Sequence, residues 1–233
     1  MKSQDFSKFL SSNIPERLFV LDKSIPHTKY VPLDLSASNK NLNKLDVSSS
    51  NKLGDYIKNY IQKNNAQVAF GGYLEVRNIY KRSHYFNKQA SEERNIHIGV
   101  DLWCDEETPI YTPLDGTVHS FKNNTNYGDY GPTIILKHHI LDVEFYTLYG
   151  HLSLASIQNL EVGKPFKQGD ALATLGGTSI NGDYPAHLHF QIIKDIQGYN
   201  GDYPGVCSEK DLEFYKGNCP NPDLLLWLGH RFV

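Results

Sequence analysis

The chain has little of what marks several large protein classes. Its 23 Lys and Arg against 26 Asp and Glu leave a formal charge of −3. No basic excess is present to neutralise a phosphate backbone, so no nucleic-acid partner is expected. Cysteine is scarce: Cys104, Cys207 and Cys219 are the only three, and none sits in a CxxC pair. That spacing excludes a cysteine zinc site of the usual kind and favours reduced buried thiols over a disulfide framework, with a Cys207–Cys219 bridge as the minor alternative. No stretch approaches the roughly 18 apolar residues of a membrane-spanning helix, so no membrane partner is expected either. Residues 1–23 have no apolar core of signal-peptide length. The expected location is the cytoplasm, with export to the periplasm or cell wall as the alternative. Methionine occurs once, as Met1.

What is present points to β-structure. Aromatics make up 12% of the 233 residues, fifteen of them tyrosine, and glycine and proline recur at the short intervals that turns between strands require. The chain is long enough for one well-buried domain and an appendage. Residues 1–66 read as that appendage. They include the polar run SASNKNLNKLDVSSSN at 36–51, expected as a loop, and then Leu53, Ile57, Tyr60 and Ile61 at helical spacing. Ser50 or Asn51 is the expected N-cap of that helix. From 67 to 233 the pattern is strand and turn: AFGGYLEVRNIY, IHIGVDLWC, PIYTP, GTVHSF, GPTIILKHHI, VEFYTLYGHL, ALATLG and AHLHFQIIKD. The tail CPNPDLLLWLG predicts a turn and a short helix covering one end of the sheet. The expected fold is mainly β, a compact antiparallel sheet or sandwich with a few peripheral helices.

Two short motifs carry ligand chemistry: HIGVD at 97–101 and HLH at 187–189. In an extended strand even spacings share a face, so each motif projects two ligand-type side chains to one side. A helical reading of HIGVD conflicts with its β-branched residues and central Gly99, and an i, i+2 pair such as HLH does not share a helix face. Imidazole and carboxylate both bind zinc, and three of them leave a fourth position for water, as catalytic rather than structural sites do. A third segment, YTLYGHLS at 146–153, places Tyr149 and His151 two apart. Neutral imidazoles beside an activated water can take its proton or hydrogen-bond the oxyanion, and a phenol can do the latter.

The order HxGxD, YxHLS, HLHF resembles the lysostaphin-type zinc metallopeptidases, the duplicated-hybrid-motif family. ETPIYTPLDGTV at 107–118 and VGKPFKQGDALATLG at 162–176 extend the likeness over about 94–194. Carried over residue by residue, the resemblance implies His97, Asp101 and His189 as Zn²⁺ ligands and His151 and His187 as the catalytic pair; Tyr149 is a further catalytic candidate from its spacing with His151 alone. It implies an antiparallel β-fold with a groove, and peptide or muropeptide-like substrates cut at glycyl or peptidoglycan-type bonds. Three features depart from the family. No export signal is visible. GGTSINGDYPAHLHF at 176–190 lengthens the approach to the last motif. NYGDYGPTIILKHH at 126–139 replaces the usual strand entry. These, with the tail, resemble a branch without signal peptides whose relatives are sometimes fused to class III aminotransferases and kinase-like modules.

The expected function is therefore a zinc metalloendopeptidase. Its rivals are an inactive peptide- or glycan-binding module and a zinc amidase acting on a small cytosolic substrate. A lipoyl- or biotinyl-type carrier domain is disfavoured, because no modifiable lysine sits at a suitable turn and the histidines would have no role. His119, His138 and His139 are expected to be structural, with His138 the one that can approach the site, and His27 and His84 exposed. Residues 1–66 can also act as an inhibitory segment, though no motif marks them as one.

Overall fold

Short runs of β-branched and aromatic residues give the described residues of this chain twelve strands, eight of which pair into one large sheet. The computed structural model describes residues 3–82 and 93–229; His84 lies outside them. The strands are β1 (Tyr30–Pro32), β2 (Val68–Gly71), β3 (Ile96–His97), β4 (Val100–Trp103), β5 (Pro109–Tyr111), β6 (Gly116–Asn124), β7 (Gly131–Ile140), β8 (Val143–Gly150), β9 (Pro165–Phe166), β10 (Ala171–Thr174), β11 (His187–Ile193) and β12 (Val206–Cys207). The helices are α1 (Ser3–Asn13), α2 (Ser50–Lys63), α3 (Leu212–Asn218) and α4 (Asp223–Leu226).

Eight strands form the main sheet in the order β1-β2-β4-β11-β8-β7-β6-β9. Every pairing in it is antiparallel except β1 with β2 at the edge. Two further pairs, β5 with β10 and β3 with β12, flank it. The fold is mainly β, as expected, with one parallel edge pair added. β11 sits near the centre between β4 and β8, and all seven of its residues are buried. Both faces of the sheet are therefore covered. One face packs Leu102, Ile134, Phe145, Tyr149 and Phe190 into the largest apolar cluster; the other packs Ile98, Ile135, Leu148, Ile193 and Tyr203.

Residues before 67 join these cores. The helix α1 went unread in the sequence because its eleven residues are Ser-rich and carry only Phe6, Phe9 and Leu10 as large apolar groups. Phe6 and Leu10 are buried in the largest cluster, and Phe6 meets Phe145 edge-on at 5.6 Å. Burying two such side chains contributes on the order of 3–6 kcal/mol before entropy. The helix α2 forms as the periodicity predicts and buries Leu53 and Ile57, but its N-cap is Ser49, one residue before the expected pair. Ser49 Oγ accepts from the Lys52 N–H. In the tail, α4 packs Leu224, Leu225 and Leu226 into the same core as α1. None of the described helices is long and apolar enough to cross a membrane. The three cysteines are free, with Cys207 and Cys219 buried.

Candidate metal centre

The five ligand-type side chains of the sequence motifs converge, though His97 and Asp101 do not share one continuous strand as their spacing suggests. HIGVD breaks between β3 and β4 at Ile98–Gly99, so His97 pairs with Val206 while Asp101 pairs with His189 in the main sheet. The break has a use. A Cβ at Gly99 would lie 2.6 Å from Cε1 and Nε2 of His189, so only glycine lets that ring stand where it does. Across the β4–β11 ladder His187 faces Trp103 and His189 faces Asp101. Directly paired residues share a face, so these four side chains project together. Trp103 stacks on His187, ring centres 4.0 Å apart, and fixes its plane.

Asp101 is the hub. Its Oδ1 lies 3.3 Å from His97 Nε2, 3.3 Å from His189 Nδ1 and 3.8 Å from His187 Nε2. Its Oδ2 accepts from Arg77 Nη1 at 2.5 Å. Backbone and amide groups set the tautomers of the imidazoles. His97 Nδ1–H donates to Gly72 O at 3.0 Å, His151 Nδ1–H to Asn181 O at 2.8 Å, and His187 Nδ1–H to Pro185 O at 2.8 Å. Gln191 Nε2 donates to Pro204 O, which turns its Oε1 to accept from His189 Nε2–H at 3.0 Å. Each ring thus presents its other nitrogen unprotonated toward the centre, the usual support of a metal-binding histidine.

Those inward atoms fit a cation. Asp101 Oδ1 is buried without a hydrogen-bond partner, which is rare for a carboxylate oxygen so deep. His97 Nε2 and His189 Nδ1 face each other at 2.8 Å, and in the tautomers that Gly72 O and Gln191 Oε1 select neither carries a hydrogen toward the other. His97, Asp101 and His189 each offer an atom within 4.8 Å of the others. Zinc with bonds of about 2.0–2.1 Å in tetrahedral geometry needs ligand atoms about 3.3 Å apart. The two carboxylate–imidazole distances meet that value and the imidazole pair is closer. A divalent cation would satisfy the orphaned oxygen and separate the two lone pairs.

Electrostatics agree with neutral imidazoles around an ionised carboxylate. Burial pushes His97 and His187 down to about 4, against the opposing pull of Asp101. Burial, reinforced by His187 and His189, holds His151 well below its ordinary value. For Asp101 burial works the other way, but His97, Arg77 and His187 outweigh it and keep the carboxyl well below the usual range.

Tyr149 does not join this group, contrary to the expectation from its spacing with His151. It pairs with Phe190, whose side chain is on the face opposite His189, and lies fully buried in the largest core with its hydroxyl 3.0 Å from Thr147 Oγ1. β8 ends at Gly150, and His151 adopts a left-handed backbone with φ +63°, so i, i+2 alternation no longer relates the two. Two of the tyrosines lining the cavity stand against the imidazoles. The Tyr130 hydroxyl is 3.4 Å from His189 Nε2, and Tyr184 meets His151 edge-on at 5.1 Å. Both lie in the segments where the sequence departs from the family pattern. Trp103 and Gln191 were legible in principle, each standing two residues from a ligand on the same strand face. Arg77 had no sequence signal.

The remaining histidines stand apart. His138 uses both nitrogens, on Asp115 O at 2.8 Å and Thr147 Oγ1 at 2.7 Å, and does not reach the centre. His119 bonds Ser120 Oγ at 2.8 Å and His139 is exposed. His27 is half-buried, its Nε2 3.2 Å from Trp227 O, rather than exposed.

The cavity over these groups measures about 80 Å³. Its walls include Leu35, Tyr80, Tyr130, Tyr184, Tyr203 and Val206.

Comparison with known proteins bears on the same residues. Residues 95–202 match Peptidase family M23. The M23-matched segment contains all three candidate ligands and both catalytic candidates. A curated Haemophilus influenzae protein, described as an uncharacterised metalloprotease, is 33% identical over 95 residues. That covers 41% of this chain and 18% of the relative, so the chain spans under a fifth of that protein's length. The catalytic domain of lysostaphin from Staphylococcus simulans is 24% identical over 52% of this chain and 80% of its own, with a TM-score of 0.37. A zinc-containing peptidase from Vibrio cholerae is 24% identical over 48% of this chain and 30% of its own, with a TM-score of 0.34.

Proposed function

We propose that this protein is a zinc metallopeptidase that hydrolyses peptide bonds of glycyl or muropeptide type. The observation that carries this reading is the buried, unpartnered Asp101 Oδ1 facing His97 Nε2 and His189 Nδ1. The M23 match over 95–202 supports the same reaction class.

His97, Asp101 and His189 would hold the metal. Zinc, when bound, supplies a Lewis acid for the scissile carbonyl and an acidified water as nucleophile. The protein's own groups do the rest. His151 and His187 stand with ring centres 4.2 Å apart and Nδ1 of each tied to backbone. Their Nε2 atoms are left to accept the nucleophile's proton, return it to the leaving amine, and hydrogen-bond the developing oxyanion. Trp103 holds the His187 plane, and the rings of Tyr130 and Tyr184 pack against His151.

A second reading, hydrolysis of a small amide, is favoured by the shape of the site. All five motif side chains are at most 5% exposed, and a cavity of about 80 Å³ is well under the ~300–1,000 Å³ of ordinary ligand pockets. Cleavage assays on glycine-rich oligopeptides, muropeptides and N-acyl dipeptides, each with His151→Ala in parallel, separate the two. Turnover of the long substrates, lost in the variant, supports the endopeptidase. Turnover of the short ones alone supports the amidase. No turnover of any of them by zinc-loaded protein contradicts both and leaves a binding module.

A further inference from the structure

We propose that Arg77, braced by Glu75 and seated over Gly72, is a positioning residue of the metal centre. It holds Asp101 Oδ2 so that Oδ1 alone is offered to the cation. This rests on the zinc reading above.

The guanidinium is 3% exposed and fixed at both ends. Nη1 donates to Asp101 Oδ2 and Nε to Glu75 Oε2, both at 2.5 Å. Glu75 is held in turn, its Oε1 accepting from the Leu35 N–H at 2.9 Å. The turn carrying these residues is tied to the strand carrying His97. Arg77 N–H donates to Asn95 O at 2.9 Å, His97 N–H to Glu75 O at 3.0 Å, and Leu74 N–H to His97 O at 2.8 Å. Gly72, with φ +103°, is what lets the parts stack. A Cβ there would fall 2.0 Å from Arg77 Nη2 and 2.8 Å from His97 Nδ1. The Gly72 carbonyl also receives the His97 Nδ1–H. One six-residue turn thus orients two of the three ligands.

A cation near a metal site also repels the metal, and Glu75 offsets part of that repulsion by pairing with the same guanidinium. What Arg77 adds beside Asp101 is a directional N–H. Without it the carboxylate is free to rotate and to engage its imidazole neighbours, and losing such an outer partner typically weakens metal binding about 10–100-fold. Gly72, Glu75 and Arg77 all precede residue 95. The M23-matched segment alone therefore lacks the group that orients its aspartate.

The test uses the full chain, with zinc affinity from competition with a chromophoric chelator and the visible spectrum of the cobalt-loaded protein. Variants are Arg77→Met, Arg77→Lys and the charge-balanced Glu75→Gln/Arg77→Met, with Leu225→Ala as a core control. Arg77→Met and the double variant should bind zinc about 10–100-fold more weakly and change the cobalt band, and Arg77→Lys should recover part of the loss. Leu225→Ala should lower Tm without moving either readout. Should Arg77→Met fail to fold, Arg77→Lys carries the test, since one ammonium cannot serve Asp101 and Glu75 in the same geometry. Zinc affinity within about twofold of wild type and an unchanged cobalt spectrum in the folded Arg77 variants overturn the inference alone. Wild-type protein that takes up neither metal overturns the zinc reading beneath it.

Discussion

His138 on β7 and the His97–His189 cluster are equally hidden from solvent, yet their nitrogens are used differently. His138 is closed: Nδ1 donates to Asp115 O and Nε2 accepts from Thr147 Oγ1, so nothing is left over. In the cluster His97, His187 and His189 each have one nitrogen fastened to a carbonyl or amide oxygen and the other turned toward a carboxylate oxygen with no hydrogen-bond partner. Burial is common to both and does not separate a structural histidine from a functional one. The unfilled hydrogen-bonding capacity does, because an orphaned buried polar atom is costly unless something absent from the protein chain satisfies it.

The sharpest way to break this contrast is to remove a ligand. His189→Ala should abolish hydrolysis entirely, and zinc removal by a chelator should do the same to wild type, reversibly on adding zinc back. His151→Ala should keep the metal and lose about 10²–10⁴-fold in kcat. Full activity in that variant would end its assignment as a proton-transfer group.

His138 supplies the opposite arm. His138→Gln should cost about 1–3 kcal/mol of stability, read by thermal unfolding, and leave zinc binding unchanged. Its pH dependence has a definite sign. Burial holds His138 at about 4 in the folded state, against an ordinary value near 6.5 in the unfolded chain. Between those values the unfolded chain binds more protons, so this contribution is fully present above about pH 6.5 and is lost as pH falls toward 4. It amounts to on the order of 3 kcal/mol. Urea unfolding of wild type and His138→Gln across that window should show a flatter profile in the variant, and identical profiles would refute the linkage. His139→Ala, on the exposed side of the same strand, should change stability by no more than about 0.5 kcal/mol and leave zinc uptake alone.

Much of this was legible in residues 95–202, where ligand types recur at even spacing on strands whose alternation is strong. His97, Asp101, His151, His187 and His189 are brought together. The same rule misplaced Tyr149, because alternation holds only within a continuous strand and His151 stands beyond the end of β8 with a left-handed backbone. Other parts gave no local signal. Arg77 is an ordinary surface-type residue in sequence, and its burial depends on the ladder between the 72–77 turn and the 95–97 segment, a non-local contact. The helix α1 was invisible for a related reason. Its propensity is weak, and packing of Phe6 and Leu10 against the sheet stabilises it instead.

The most direct test is the metal stoichiometry of purified protein by elemental mass spectrometry, on wild type, Asp101→Ala and His138→Gln side by side. The account predicts one zinc per chain in wild type and in His138→Gln, and none in Asp101→Ala. Zinc retained by Asp101→Ala, or absent from wild type after reconstitution, would contradict it.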